Sequence, residues 1–128
     1  MPVTLLTGGL LGLVFLFLSY RVSQVRRAAR VSLGDGGDAD LLARIRAHAN
    51  FAEYVPFCLI LILGLEMSTE VSPPALWVAG LGLVGFRIAH AIGMARGPGN
   101  IWRVVGTAGT WIVLLGLSLW AVVRALGF

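Results

Sequence analysis

The chain has 128 residues, of which 58% are hydrophobic and 12% are charged, and its mean hydropathy is +0.89. Soluble domains carry about 45–50% apolar and about 25% charged residues, so the composition excludes an ordinary soluble domain and indicates one membrane domain. The net charge of +4 comes from arginines that flank apolar runs, so we assign it to membrane orientation and expect no nucleic-acid partner.

The first predicted helix covers about residues 3–26 and contains an uncharged run from Val3 to Tyr20. That run is close to the roughly 20 residues that a bilayer core requires. No basic residue precedes it, which favours a retained span over a cleaved signal peptide. The polar connection that follows contains GDGGDAD (34–40), a sequence typical of a turn.

The second predicted helix covers about residues 41–66, with Asp40 as its expected N-cap. Pro56 lies inside it and predicts a kink, which membrane helices tolerate when neighbouring groups satisfy the freed carbonyl. The chain has one cysteine, Cys58, so no internal disulfide can form. Its apolar surroundings favour a small buried side chain over a reactive thiol.

Two further helices are predicted at about residues 74–95 and 101–125. Ser72-Pro73-Pro74 begins the third helix, and the sequence GPG (97–99) ends it. Four spans with short connections predict an all-α, up-and-down four-helix transmembrane bundle that forms a single domain over residues 1–128.

The distribution of arginines predicts the orientation of the bundle. The loop between the second and third helices has none, whereas the other two loop regions are rich in them. Because arginine-rich loops remain in the cytoplasm, we expect both of these regions to be cytoplasmic and both termini to lie on the other side. The arginines concerned are Arg21, Arg26, Arg27, Arg30, Arg44 and Arg46 in the first region, and Arg96 and Arg103 in the third.

Polar residues recur at helical spacing near the expected cytoplasmic end. A charge at the centre of a membrane helix costs about 2.5–3.5 kcal/mol, so such residues usually face a bundle interior or a water-filled site. Each of the following sets shares one face of its helix: Arg46, Asn50 and Glu53 in the second helix, Arg87, His90 and Met94 in the third, and Arg103 and Thr107 in the fourth.

These sets suit a pocket for a small zwitterionic ligand with several carboxylates, because arginine guanidinium groups match carboxylates. An equally weighted alternative is structural. In that interpretation Arg46, Glu53 and Arg87 pair with one another, and the interfacial arginines reach lipid phosphates. The two histidines lack the further ligands that a metal site needs, so we predict no metal. His48 faces away from Arg46 and Glu53 and is interpreted as an interfacial hydrogen-bonding residue.

One stretch resembles a known family signature. Within RIRAHANFAEYVPF (44–57), the residues Arg46, Ala47, Asn50, Glu53 and Pro56 match the R-A-x-x-N-x-x-E-x-x-P pattern in the second helix of the MAPEG family, the membrane-associated proteins in eicosanoid and glutathione metabolism. FRIAHAIGMARG (86–97) and Arg103 resemble the family's third helix and the start of its fourth. RRAARVS (26–32) resembles the end of the first helix in leukotriene-forming members.

The resemblance implies a bacterial-type member, similar to microsomal glutathione transferases, in a bacterial inner membrane. It implies a homotrimer with glutathione as co-substrate, bound between neighbouring subunits near the cytoplasmic face. Arg103 is expected to stabilise the thiolate that attacks a hydrophobic electrophile or lipid arriving from the bilayer, with peroxidase activity on lipid hydroperoxides as a second reaction. The residues implied to bind glutathione are Arg26, Arg46, Asn50, Glu53, Arg87 and His90.

Two positions depart from the family pattern and keep other functions open. Met94 stands where many family enzymes have a tyrosine, and Thr107 stands where some members have one; methionine donates no hydrogen bond. A non-catalytic lipid-binding or scaffold protein of the same fold is therefore the alternative. A small four-helix multidrug exporter is a third interpretation, but such a carrier needs an acidic residue in its first helix, and Val3 to Tyr20 contains none.

Overall fold

The computed structural model describes residues 1–97 and 99–127, and these residues form four long antiparallel helices in an up-and-down order. The predicted all-α four-helix architecture is thereby confirmed. All four helices are long and apolar enough to cross a membrane. Their bounds are α1 Pro2–Ala29, α2 Ala39–Met67, α3 Pro74–Ala95 and α4 Ile101–Ala125.

The turn between α1 and α2 sets the ends of both helices. Helix α1 extends three residues beyond the predicted end at residue 26 and stops where Arg30 adopts a left-handed backbone (φ 55°). The N-cap of α2 is Asp38, and the prediction of Asp40 was wrong. The Oδ1 of Asp38 accepts the Leu41 N–H at 2.9 Å, because Gly36 and Gly37 complete the turn and leave Asp38 as the last extended residue.

Asp40 lies in the first turn of α2 instead and forms an ion pair with Arg44 at 3.0 Å. Helix α2 then continues through Pro56 to Met67 without a break. Prolines also mark the start of α3, where Pro73 is the N-cap and Pro74 the first helical residue. Asn100 caps α4 by accepting the Trp102 N–H at 3.0 Å.

The helices pack closely at glycines. A Cβ added at Gly106 of α4 would collide with the backbone of His90 in α3, and one at Gly93 would collide with the backbone of Arg103. Gly80 of α3 lies equally close to the side chain of Thr7 in α1. Among the described residues, α1 contacts α2 and α3, and α4 contacts the same two helices. Helices α1 and α4 therefore flank the α2–α3 pair.

The buried core is thin and the outer surface is apolar. Large side chains such as Leu5, Phe17, Ile60 and Ile112 are each more than half exposed. Contiguous apolar surface of this extent is not stable in water, so lipid is its natural environment. The core side chains include Leu11, Phe51, Cys58, Ile62, Leu76, Leu83 and Leu117.

The two ends of the bundle differ in their polar contacts. We call the end where α1 and α3 finish the arginine-rich end, since both arginine-bearing connections lie there. At the opposite end, Glu66 is only 4% exposed and belongs to the last turn of α2. Its carboxylate accepts the backbone N–H groups of Val3 and Thr4 at 2.9 and 2.8 Å and the hydroxyls of Thr4 and Ser72, both at 2.6 Å. Glu66 thus caps the beginning of α1 from a distant part of the chain.

Candidate functional site

Asn50 of α2 and Arg87 of α3 form the centre of the candidate site. Arg87 is 1% exposed, and its Nη1 donates to the Asn50 Oδ1 at 2.9 Å. Arg87 lies eight residues before the end of α3, which places it about 12 Å inside the bundle at 1.5 Å per residue. The predicted proximity of the polar faces of α2 and α3 is therefore observed for this pair.

The remaining partners of Arg87 are weak or absent. Its Nη2 donates to the Gly106 carbonyl of α4 at 3.4 Å, and that carbonyl also accepts the Thr110 hydroxyl at 2.7 Å. The buried Nε of Arg87 has no hydrogen-bond partner among the described residues. No carboxylate of the described residues lies within ion-pair distance of this guanidinium. Arg87 is thus a buried cation that is held by neutral oxygens.

His90 and Arg103 extend the site toward the arginine-rich end. His90 is 5% exposed and contacts α4 through the close approach at Gly106. Arg103 is in the first turn of α4, and its backbone packs against Gly93 while its side chain is exposed. We call Asn50, Arg87, His90 and Arg103 the polar cluster.

A shallow surface cleft of about 400 Å³ runs along one face of α4, and its lining lies within residues 99–111, Arg103 included. Its lining includes Asn100, which caps the helix, and Thr107, which lies one turn after Arg103. Asn100 already accepts the backbone N–H groups of Trp102 and Arg103, and the first turn of a helix carries a partial positive charge. With the Arg103 guanidinium, this cleft is suited to an anionic group.

The other predicted residues of α2 lie on its surface. Arg46 and Glu53 are both exposed, one turn on either side of the half-buried Asn50. Among the described residues they form no ion pair with each other or with Arg87. The structural alternative, in which these three side chains neutralise one another, does not describe the contacts of this chain.

Arg26 is directed at the loop between α1 and α2. Its Nη1 donates to the carbonyls of Gly34 and Ser32 at 2.8 and 3.4 Å. A single chain therefore brings Asn50, Arg87, His90 and Arg103 into one region but leaves Arg26 in contact with its own loop.

Met94 and His48 occupy the positions that the helical spacing gives them. Met94 is half-buried and packs against the hydrophobic core. His48 faces α1, where its Nε2 lies 3.0 Å from the Ser19 Oγ and its ring stacks on Phe15 with centroids 4.6 Å apart. His48 is thus separate from the polar cluster and forms the hydrogen bond predicted for it.

Two contributors were not identified from the sequence. Gly106 brings α4 close enough for its carbonyl to reach Arg87, and the only signal for it is the Gly106/Gly109 spacing in α4. Glu66, at the predicted end of the second helix, has no sequence signal for its role, and the structure shows it to be a buried cap. The Glu66 carboxylate accepts hydrogen bonds from Val3 and Thr4, more than 60 positions away in the sequence, and no local pattern can predict such contacts.

Four helices long and apolar enough to cross a membrane, with a buried arginine inside the bundle, define a four-span integral membrane protein. The sequence profile of the MAPEG family matches residues 4–123, and the chain belongs to that family. It is similar to the inner membrane protein YecN of Escherichia coli K12, with 33% identity over 110 residues that cover 84% of this chain and 80% of the relative. The protein of the same name in Escherichia coli O6:H1 has the same identity and coverage.

Proposed function

We propose that the protein is an integral membrane glutathione-dependent transferase that acts on hydrophobic electrophiles, with reduction of lipid hydroperoxides as a second reaction. The observation that carries this proposal is the buried Arg87 guanidinium, which has no carboxylate partner among the described residues. A buried cation without a counterion is unfavourable, so an anionic ligand bound beside it would stabilise the folded protein.

Glutathione fits this donor set by its chemistry. It carries two carboxylates, for which guanidinium groups are matched donors. It also carries one ammonium group, whose hydrogen bonds the Glu53 carboxylate and the Asn50 Oδ1 can accept. Arg87 has an Nε–H without a partner among the described residues, and Arg46 and Arg103 supply exposed guanidinium groups.

Arg103 is the proposed catalytic residue. A cation and a helix N-terminus both lower the pKa of a neighbouring thiol, and the thiolate is the reactive nucleophile. In transfer, the thiol proton passes to solvent and the thiolate sulfur forms a bond to the electrophilic carbon, whose leaving group departs with its electron pair. Arg103 stabilises the anion before this step.

We further propose a homotrimer in which neighbouring subunits complete the site. Arg46, Glu53 and Arg103 are exposed on a single chain, while Asn50 and Arg87 are not, so one chain leaves part of the donor set open. The arginine-rich end is proposed to be cytoplasmic because of its excess of arginines. The name of the Escherichia coli relatives supports placement in a bacterial inner membrane.

A non-catalytic lipid-binding or scaffold protein is the second candidate. It is favoured by Met94, which packs in the core and offers no hydrogen-bond donor, and by Thr107 in the cleft beside Arg103. Both positions lack the phenolic hydroxyl that family enzymes present.

Glutathione binding by calorimetry on the detergent-purified protein tests the proposal. We expect saturable binding that is lost in Arg46→Ala and Glu53→Ala and retained in Arg96→Ala, an exposed arginine outside the donor set. Turnover of a generic aryl halide electrophile with glutathione then separates the two candidates. Binding without turnover would favour the scaffold, and no binding at millimolar thiol would overturn the glutathione site.

A further inference from the structure

An apolar groove of about 480 Å³ lies among α1, α2 and α3, and its lining includes Met94. Its walls include Leu13 and Phe17 of α1 and Ile88 and Ile92 of α3, all of which are substantially exposed. None of the seven predicted site residues lines it. The groove is therefore formed by residues other than those that the glutathione proposal uses.

The groove is formed because small residues stand between larger ones. Ala91 and Ala95 of α3 and Ala47 of α2 line it, and each leaves space that a longer side chain would fill. The α1 wall from Leu13 to Arg21 is about 12 Å long at 1.5 Å per residue. The hydrocarbon core of a bilayer is roughly 30 Å thick, so this length covers most of one leaflet. These dimensions suit an acyl chain that lies along the bundle.

Two arginines line the groove at the arginine-rich end. Arg44 is partly neutralised because Asp40 is 3.0 Å away, and its side chain is 17% exposed. No carboxylate of the described residues lies within ion-pair distance of Arg21, which is half-buried. The groove thus has an apolar body and a cationic mouth, with Arg21 directly after the uncharged run from Val3 to Tyr20.

We propose that this groove binds one anionic phospholipid per chain, with an acyl chain along α1 and α3 and the headgroup phosphate on Arg21 and Arg44. Guanidinium groups bind phosphate oxygens through paired N–H donors, and a zwitterionic headgroup lacks the net charge that attracts them. Arg21 contributes more than Arg44, because the charge of Arg44 is shared with Asp40. The site is independent of glutathione binding and of catalysis.

Native mass spectrometry of the detergent-solubilised full chain tests the proposal with phosphatidylglycerol and phosphatidylcholine of identical acyl chains. We expect phosphatidylglycerol to be retained at one per chain and phosphatidylcholine to be lost. Loss of one arginine near the membrane surface should weaken retention about fivefold, so we expect that change in Arg21→Gln and a smaller one in Arg44→Gln. Arg27→Gln is the matched control, since this exposed arginine of α1 does not line the groove.

A filling variant separates the groove from a general attraction to charge. Ala91→Leu, or Ala95→Leu if the first variant does not fold, should abolish retention of phosphatidylglycerol with all arginines present. Equal weakening in Arg27→Gln and Arg21→Gln, or equal retention of both lipids, would overturn the proposal. A third outcome is a changed number of subunits in Ala91→Leu, with no lipid retained by the wild-type protein or by any variant. This outcome would assign the groove to a second copy of the chain and would also overturn the lipid proposal.

Discussion

Arg87 shows how a single residue can be charged, buried and only partly satisfied in a membrane bundle. Its guanidinium has one short hydrogen bond, to the Asn50 Oδ1 at 2.9 Å, and two long ones, to the Asn50 backbone carbonyl at 3.5 Å and the Gly106 carbonyl at 3.4 Å. Hydrogen bonds to charged groups stabilise by about 1.5–3 kcal/mol, which does not offset the desolvation of an unpaired cation. This imbalance is the physical basis of the proposal that an anion binds at the polar cluster.

The proposed role of Arg103 is tested at the level of this side chain. Arg103→Ala should abolish the ultraviolet absorbance of the glutathione thiolate while some glutathione remains bound, because the remaining arginines still hold its carboxylates. Arg103→Lys is the control and should retain part of the absorbance, since the positive charge is kept. An undiminished thiolate signal in Arg103→Ala would remove this residue from the mechanism.

At the scale of the helix, the closest packing is between α3 and α4. The backbones approach at Gly93 and Gly106, where any side chain would collide with the facing helix. In membranes, small residues at helix interfaces allow the van der Waals packing and interhelical hydrogen bonds that hold helices together. The same approach brings the Gly106 carbonyl to Arg87, so packing and site geometry depend on one glycine.

Two glycine substitutions in α4 separate packing from helix propensity. Gly106→Ala should destabilise the bundle by about 1–3 kcal/mol, because the added methyl group collides with the His90 backbone. Gly116→Ala should be neutral or stabilising by up to about 1 kcal/mol, because no atom lies within 4 Å of its added Cβ and alanine is the better helix former. Denaturation in mixed micelles measures both. Equal stabilities would contradict the close α3–α4 contact.

The start of α2 provides a second test at this scale. Asp38→Ala removes the side-chain acceptor for the Leu41 N–H and should cost about 1 kcal/mol. Asp40→Ala breaks only an exposed i,i+4 ion pair with Arg44 and should cost about 0.3–0.5 kcal/mol. The same denaturation assay ranks the two variants. A larger loss in Asp40→Ala would restore Asp40 as the functional cap.

At the scale of the whole molecule, Glu66 connects the beginning of α1, the end of α2 and the loop before α3 through its four acceptor contacts. Arg124 adds a contact at the same end of the bundle, where its Nη2 donates to the Ser68 carbonyl at 2.7 Å. Because α1 and α4 do not contact each other among the described residues, such contacts through α2 help to keep the four helices in one arrangement.

Removing the Glu66 carboxylate should therefore destabilise the entire bundle. Glu66→Ala leaves the Val3 N–H without an acceptor, and one buried unsatisfied donor costs about 1–3 kcal/mol. Glu70→Ala is the matched control, because Glu70 is exposed and accepts none of these bonds. Thermal unfolding of both variants in detergent provides the comparison. A wild-type midpoint in Glu66→Ala would show that the cap is dispensable.

The sequence by itself determined the four spans, the arginine-rich end and the polar faces of α2, α3 and α4. Hydropathy and helical period are local properties, so span length and side-chain direction follow without knowledge of the neighbours. For the same reason, Asn50 and Arg87 were predicted on the polar faces of α2 and α3, near the same end of the bundle.

Only the tertiary structure decided which of these polar residues meet. Arg46 and Glu53 share a helical face with Asn50, yet Asn50 alone contacts Arg87, because the distance between helices is set by the glycines that face each other. Likewise, no local pattern assigned Glu66 to the beginning of α1 or marked Asp38 rather than Asp40 as the cap. Burial and hydrogen bonding depend on which segments lie side by side, and that arrangement is a property of the assembled bundle.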